Sequence, residues 1–312
     1  MFPSIPAGIW QADHIDRRTT IQKPRFCQRG RISSIRLLPP PHYNRLLQPD
    51  AQFDQRDRID VVLVSPRNPL NIGAAARAMA NFGFRRLSVV APYAPPWREA
   101  RSAVGAPELL ASAAETGTLA EAVAGCMLVV GTGTLTYRKP EQPVVPLPDL
   151  GPLVERELAR GGRVALVFGS EKHGLTRDDL SYCHLLVEIP TDPRQPSMNL
   201  GQAVAVCLYE LAARVFRQAN AAPEAAAEVE GMAGAPAAPS RSLDRLAGVV
   251  EETMIAAGYS PSSMQAANRH DLRLLLRRLA PTERDSRRIL GLFRRILWRL
   301  KRVPKGRRAG EL

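Results

Sequence analysis

Apolar positions from Ile59 onward follow two alternating rhythms, short continuous runs and longer stretches at helical spacing. Ile59-Asp60-Val61-Val62-Leu63-Val64 is almost unbroken in its apolar character, as a strand covered on both faces requires. The segment Asn71 to Phe82 then has helical character, with Asn71 as the expected N-cap and Gly83 as the stop. Leu87-Ser88-Val89-Val90 is a second strand, so the opening reads β-α-β. An Ala- and Glu-rich stretch, 108–125, predicts one helix. Further strands are expected at Met127–Gly131, Val164–Phe168 and Leu185–Ile189, with a helix around 150–160 and a largely buried helix from Leu200 to Gln218. Strands alternating with helices imply an α/β fold with a mostly parallel sheet.

At about residue 219 the pattern breaks into Ala, Pro, Gly and Glu, and 219–241 is expected to be a flexible linker. Three helical segments follow, at about 242–257, 264–279 and 282–302. In the last, Ile289, Leu292, Phe293, Ile296, Leu297 and Leu300 form one apolar stripe, while Arg287, Arg288, Arg294, Arg295, Arg299 and Arg302 occupy the rest of the surface. The first 57 residues are rich in Arg and Pro without periodicity and are expected to be a disordered basic extension. The domain organisation is therefore 1–57 extension, 58–218 α/β domain, 219–241 linker, 242–303 basic helical extension and 304–312 tail.

Charge sharpens this picture. A net charge of +13 and a pI near 10.3 call for a polyanionic partner, and nucleic acid suits an Arg-rich surface best. Cys27, Cys126, Cys183 and Cys207 are scattered without C-x-x-C spacing, and the five histidines form no ligand pattern with them. Neither a disulfide framework nor a metal site is expected, which suggests an intracellular, cytoplasmic protein. No apolar run approaches the ~20 residues that cross a bilayer, so no membrane partner is expected.

Three runs carry the chemistry: Asn71-Ile72-Gly73-Ala74-Ala75-Ala76-Arg77; Phe168-Gly169-Ser170-Glu171-Lys172-His173-Gly174-Leu175; and Ile189-Pro190 with Ser197-Met198-Asn199-Leu200. Each lies at the C-terminal edge of an expected strand, where open α/β sheets bind ligands. Gly73 permits close backbone approach, and Arg77 is costly unless something anionic meets it, a substrate group or a core carboxylate. Gly169 and Gly174 bracket a tight polar loop that is neither a P-loop nor a dinucleotide fingerprint. Ser197 and Asn199 can either cap the following helix or act on a ligand.

In this order and spacing the runs resemble the three motifs of the SpoU/TrmH superfamily of S-adenosylmethionine-dependent RNA 2′-O-methyltransferases, across about residues 58–217. The C-terminal helical extension makes the chain most similar to the TrmJ branch, whose members methylate the ribose at position 32 of the tRNA anticodon loop. The resemblance implies a C-terminal trefoil knot in the sheet, a homodimer, RNA as partner and S-adenosyl-L-methionine as cofactor. It places the cofactor against Thr132, Gly133, Thr134, Gly169, Ser170, Glu171, Gly174, Ile189, Pro196, Ser197, Met198 and Leu200. It gives catalytic or substrate-positioning roles to Arg77, Asn71, Ser197, Asn199 and Arg138, with Arg77 reaching towards the other subunit's cofactor. The loop after Gly131 is one residue longer than the family pattern at Arg138, and residues 1–57 have no counterpart there. The same chemistry on ribosomal RNA, and an inert RNA-binding protein that keeps the knot, are the alternatives.

Overall fold

The computed structural model describes residues 55–93, 95–133, 140–218 and 236–302. The expectations for residues 1–54, for Thr134 and Arg138, and for 219–235 and 303–312 lie outside the described residues. The elements run β1 (Ile59–Val64), α1 (Pro69–Phe82), β2 (Arg86–Val90), α2 (Pro107–Ser112), β3 (Ala114–Thr116), α3 (Leu119–Ala122), β4 (Leu128–Thr132), β5 (Val144–Pro146), α4 (Leu150–Ala159), β6 (Val164–Phe168), α5 (Arg177–Leu180), β7 (Leu185–Glu188) and α6 (Leu200–Gln218). Then come α7 (Ser240–Ala256), α8 (Gln265–Leu279) and α9 (Glu283–Arg302).

The strands form one seven-stranded sheet in the order β3-β2-β1-β6-β4-β7-β5, and its pairs are parallel. Every residue of β1 and of β6 is buried, which explains their nearly unbroken apolar sequences; buried Asp60 in β1 is paired with Arg86 at 2.6 Å. Insertion of β6 between β1 and β4, and of β7 between β4 and β5, is consistent with the knotted topology that the motifs imply. One core packs α1, α4 and α6 against one face, through residues such as Ile72, Met79, Leu158, Val204 and Leu208. The other face buries Val62, Val129, Val167, Cys183 and Leu186. Helices α1 and α6 approach closely: a Cβ on Gly201 would stand 2.7 Å from that of Ala74.

Two local expectations are corrected. The N-cap of α1 is Asn68, whose side chain accepts from Leu70 N–H at 2.9 Å, and Pro69 follows at the first helical position. Pro69 has no N–H to satisfy there, so the helix starts before Asn71. The expected helix over 108–125 is instead α2, the edge strand β3 and α3. Thr118 and Glu121 form a capping box that starts a separate helix, overriding the Ala-rich propensity of the stretch. Gly83 ends α1 with φ +80°, as expected.

The C-terminal helices have a small core of their own, built on Leu246, Val250 and Leu276. They also dock on the sheet domain. Ser240 N–H donates to Cys126 C=O at 3.0 Å and Arg241 N–H to Ala124 C=O at 3.1 Å. Buried Arg277 donates to Tyr182 C=O at 2.9 Å and pairs with Asp244 at 3.0 Å. The apolar stripe of α9 is only partly covered: Leu297 is buried, but Leu292 and Ile296 are exposed. No described helix is long and apolar enough to cross a membrane.

His184, just before β7, accepts Val129 N–H on Nδ1 at 3.0 Å. Burial, and then the Arg277 guanidinium, push its pKa down to about 3. The unfolded chain takes up this proton near the ordinary imidazole value, whereas the folded chain refuses it, so stability falls as pH drops below that value. At pH 5 the loss relative to pH 7 is expected to be about 2 kcal/mol. Urea denaturation at the two pH values measures it, and His184→Asn, which keeps an acceptor for Val129, should flatten the dependence.

Candidate functional site

The second motif loop leaves β6 at Phe168 and turns back on itself. Gly174 N–H donates to Ser170 C=O at 2.8 Å, and Gly174 adopts φ +64°. A side chain on Gly169 would collide with the backbone of Gly174 and Leu175, so glycine is required for this closure. The turn aims Glu171 away from its own strand, at the start of α1. One carboxylate oxygen accepts Arg67 N–H at 2.8 Å, and the other accepts Asn68 N–H at 3.0 Å and Asn71 Nδ2 at 2.9 Å. Burial acts to raise the Glu171 pKa, but these donors outweigh it and hold the group below the usual carboxylate range.

Polarity then propagates along a chain of amides. An ionised carboxylate only accepts, so Asn71 must present its NH2 to Glu171 and its oxygen to the other side. That oxygen accepts Asn199 Nδ2 at 2.9 Å, which turns Asn199 Oδ1 towards α6. There it caps the helix, accepting Gly201 N–H at 3.0 Å and Gln202 N–H at 3.4 Å. One residue from each motif thus belongs to a single hydrogen-bonded chain.

Beside this chain lies a cleft of about 570 Å³ at the C-terminal ends of β6, β4 and β7. Its volume is within the range of small-molecule and cofactor sites. The structure brings Thr132, Gly133, Gly169, Ser170, Glu171, Gly174, Ile189, Pro196, Ser197, Met198 and Leu200 to its walls. Asn71 and Asn199 stand behind the wall, in the Glu171 chain. Arg77 does not line the cleft; it is exposed on α1. Phe168, Lys172, His173 and Leu175 of the second run, not assigned to the cofactor by the resemblance, also line it, as does Glu188. Lys172 and His173 lie within the second motif and were readable from it. Glu188 was not, because nothing in a strand-terminal glutamate marks it as facing a cleft. Both Glu171 oxygens are engaged by protein donors, which leaves Glu188, among the described residues, as the cleft carboxylate open to a ligand.

The sequence spacing gives no metal pattern, yet the fold gathers Glu141, His270 and Asp271. The Arg177 guanidinium lies among them, 3.4 Å from His270 Nε2 and 3.7 Å from Glu141, and its positive charge opposes a cation there.

Residues 58–209 match the SpoU rRNA Methylase family. The chain is 34% identical over 252 residues to the tRNA (cytidine/uridine/adenosine-2′-O-)-methyltransferase TrmJ of Pseudomonas aeruginosa (strain UCBPP-PA14), covering 80% of this chain and 96% of that protein. It is also 34% identical over 252 residues to the tRNA (cytidine/uridine-2′-O-)-methyltransferase TrmJ of Escherichia coli O6:K15:H31 (strain 536 / UPEC), covering 80% and 98%. Among solved structures, TrmJ from Z. mobilis ZM4 superposes with a TM-score of 0.65 at 29% identity, over 76% of this chain and 98% of that one. With a parallel sheet, a cleft at its C-terminal edge and these relatives, the chain belongs to the SpoU methylase family, in its TrmJ-like branch.

Glu171→Gln replaces one acceptor oxygen with a donor facing backbone N–H groups. The expected cost is about 1 kcal/mol, kept modest because the residue is solvent-exposed. The carboxylate's contribution is present above the unfolded-state pKa and is lost as pH falls through the lower folded-state value. The variant should therefore lose part of the acid-side slope in a pH series of thermal melts; a slope equal to the parent's would contradict the arrangement.

Proposed function

We propose that this chain is an S-adenosylmethionine-dependent tRNA 2′-O-ribose methyltransferase, acting on cytidine or uridine at position 32 of the anticodon loop. The observation that carries the reading is the cleft itself, whose walls come from two of the three motifs while the third is hydrogen-bonded behind it. The cleft fits the cofactor: Gly133, Gly169 and Gly174 bring backbone without side chains to its walls, where an adenine edge can approach, while Leu200 and Met198 supply apolar cover. Ser170 and Thr191 add hydroxyls, and Glu188 offers negative charge to the positive end of the cofactor. When bound, the cofactor supplies an activated methyl group.

Arg77 has the substrate role. A guanidinium is a poor proton acceptor, so Arg77 orients the target phosphate and favours the ionised 2′-oxygen by its charge. Ser197 or Asn199 positions the ribose; Ser197 lines the cleft, while Asn199 stands behind it, held by Asn71. Arg138 is assigned a second cationic role. Because Arg77 does not line its own chain's cleft, the reading includes a homodimer in which it meets the partner's cofactor. Leu70 lies seven residues before Arg77 on the same face of α1 and is 54% exposed, and Tyr209 on neighbouring α6 is 57% exposed. An apolar surface of this kind suits pairing with a second copy. We place the enzyme in the cytoplasm, a reading supported by three buried cysteines that are free. The domain order is a basic extension over 1–57, the methyltransferase domain over 58–218, a linker, an RNA-gripping helical unit to 303 and a tail over 304–312; the linker expected over 219–241 ends before Ser240, where α7 begins. The Arg-rich exposed surface of α9 supports the RNA role.

The family description favours ribosomal RNA as a second reading. Methylation assays on bulk tRNA and on rRNA fragments, followed by nucleoside mass spectrometry, separate the two. Arg77→Ala is expected to lower turnover about a hundredfold, equivalent to ~2.7 kcal/mol of transition-state stabilisation. A loss smaller than about tenfold would remove Arg77 from the mechanism.

A further inference from the structure

A second feature stands at the same edge of the sheet, outside the cleft. Tyr93, just beyond β2, is 71% exposed, and the Arg67 guanidinium carbon lies 4.7 Å from its ring centroid. Arg67 is itself exposed. The pair is fixed to the site by backbone bonds: Tyr93 N–H donates to Pro66 C=O at 3.1 Å, and Arg67 N–H donates to Glu171 at 2.8 Å. The turns beneath it are held in strained form. Ser65 and Ala91, at the ends of neighbouring β1 and β2, have φ of +47° and +43° without being glycine. Ser65 N–H donates to Val90 C=O at 2.8 Å and Ala91 N–H to Thr116 C=O at 3.0 Å, which locks both strand exits. Lys172 and His173 are exposed on the loop that also carries Glu171.

We infer that the Tyr93 ring, backed by Arg67, is a stacking platform for an unpaired base of the RNA that this enzyme modifies. An exposed aromatic face receives any base, and an adjacent guanidinium adds cation–π support and attraction for the phosphate. A paired base inside a duplex offers no free face, so the platform selects single-stranded segments such as a loop. Its attachment through Arg67 to Glu171 fixes the distance between the stacked base and the cleft. The inference rests on the RNA part of the proposed function and adds a specificity element within it. Nothing in the three motifs signals it, because Tyr93 lies outside all of them.

The test uses the full chain, a labelled RNA stem-loop and a fully paired RNA duplex of equal length. Fluorescence anisotropy should show Tyr93→Ala binding the stem-loop about tenfold more weakly than the parent, with duplex binding and S-adenosylmethionine affinity unchanged. Tyr93→Phe, which keeps the ring and loses only the hydroxyl, should bind like the parent. Unchanged stem-loop binding by Tyr93→Ala overturns the inference, as does equal loss on both RNAs or a Tyr93→Phe defect as large as that of Tyr93→Ala. A parent protein that shows the Tyr93-dependent preference but transfers no methyl group would sink the methyltransferase reading and leave the platform standing. A parent that methylates tRNA with Tyr93→Ala equally competent in binding and turnover would do the reverse.

Discussion

The Glu171 carboxylate is the group around which the functional edge of this molecule is organised. Three N–H donors converge on it from a segment a hundred or more positions earlier in the chain. The start of a helix presents backbone N–H groups with no intrahelical acceptor, and a carboxylate meets that need best, being ionised and able to accept several bonds. Its ionisation also dictates which way the Asn71 amide points, and through it the Asn199 amide, and so reaches the capping of α6. The capping of α6 selects the same orientations from the other end, so the two ends of the amide chain agree. Three segments far apart in sequence thereby become one rigid unit.

That arrangement has a consequence for ligand binding. A glutamate in a cleft-lining loop invites a role in holding ligand, yet Glu171 has its oxygens turned into the protein. Its work is to set the positions of walls made largely of backbone and small side chains: Gly169 and Gly174 on one side, Gly133 on another. Glycine here answers a steric demand, since the returning strand of the loop passes too close to Gly169 to admit any side chain. The cleft is therefore defined by chain path more than by side-chain chemistry, which suits recognition through main-chain donors and acceptors.

How much of this was readable in advance follows from the kind of signal each part leaves. β1 and β6 are buried on both faces, and their apolar runs gave the same boundaries that the structure shows. The C-terminal helices announced themselves through 3.6-residue spacing and came out within two residues at each end. The stretch 108–125 misled because alanine favours a helix locally, while pairing with β2 and the Thr118–Glu121 capping box decide the outcome. β5, with only Val144, Val145 and Pro146, is an edge strand too short to leave a periodic trace. Asn71 has the chemistry of a cap at the start of the helical stretch, but Asn68 and Pro69 take the first turn. The Glu171 bonds span about a hundred residues, and no local pattern encodes a contact of that kind. The motifs could identify the participants but not how they touch.

The position of Arg77 now carries the largest structural implication. Helix α1 starts at the Glu171 chain, so its first turn is tied to the cleft, but Arg77 lies nearly two turns further on and points outward with Leu70. Arg77 does not line the cleft of its own chain. If Arg77 acts on substrate, the cleft that it serves belongs to another copy, and the α1–α6 surface is then both an interface and a catalytic wall. Glu171 would in that case do two things with one set of bonds: shape the cleft of its own subunit, and fix the helix that delivers the cation to its partner.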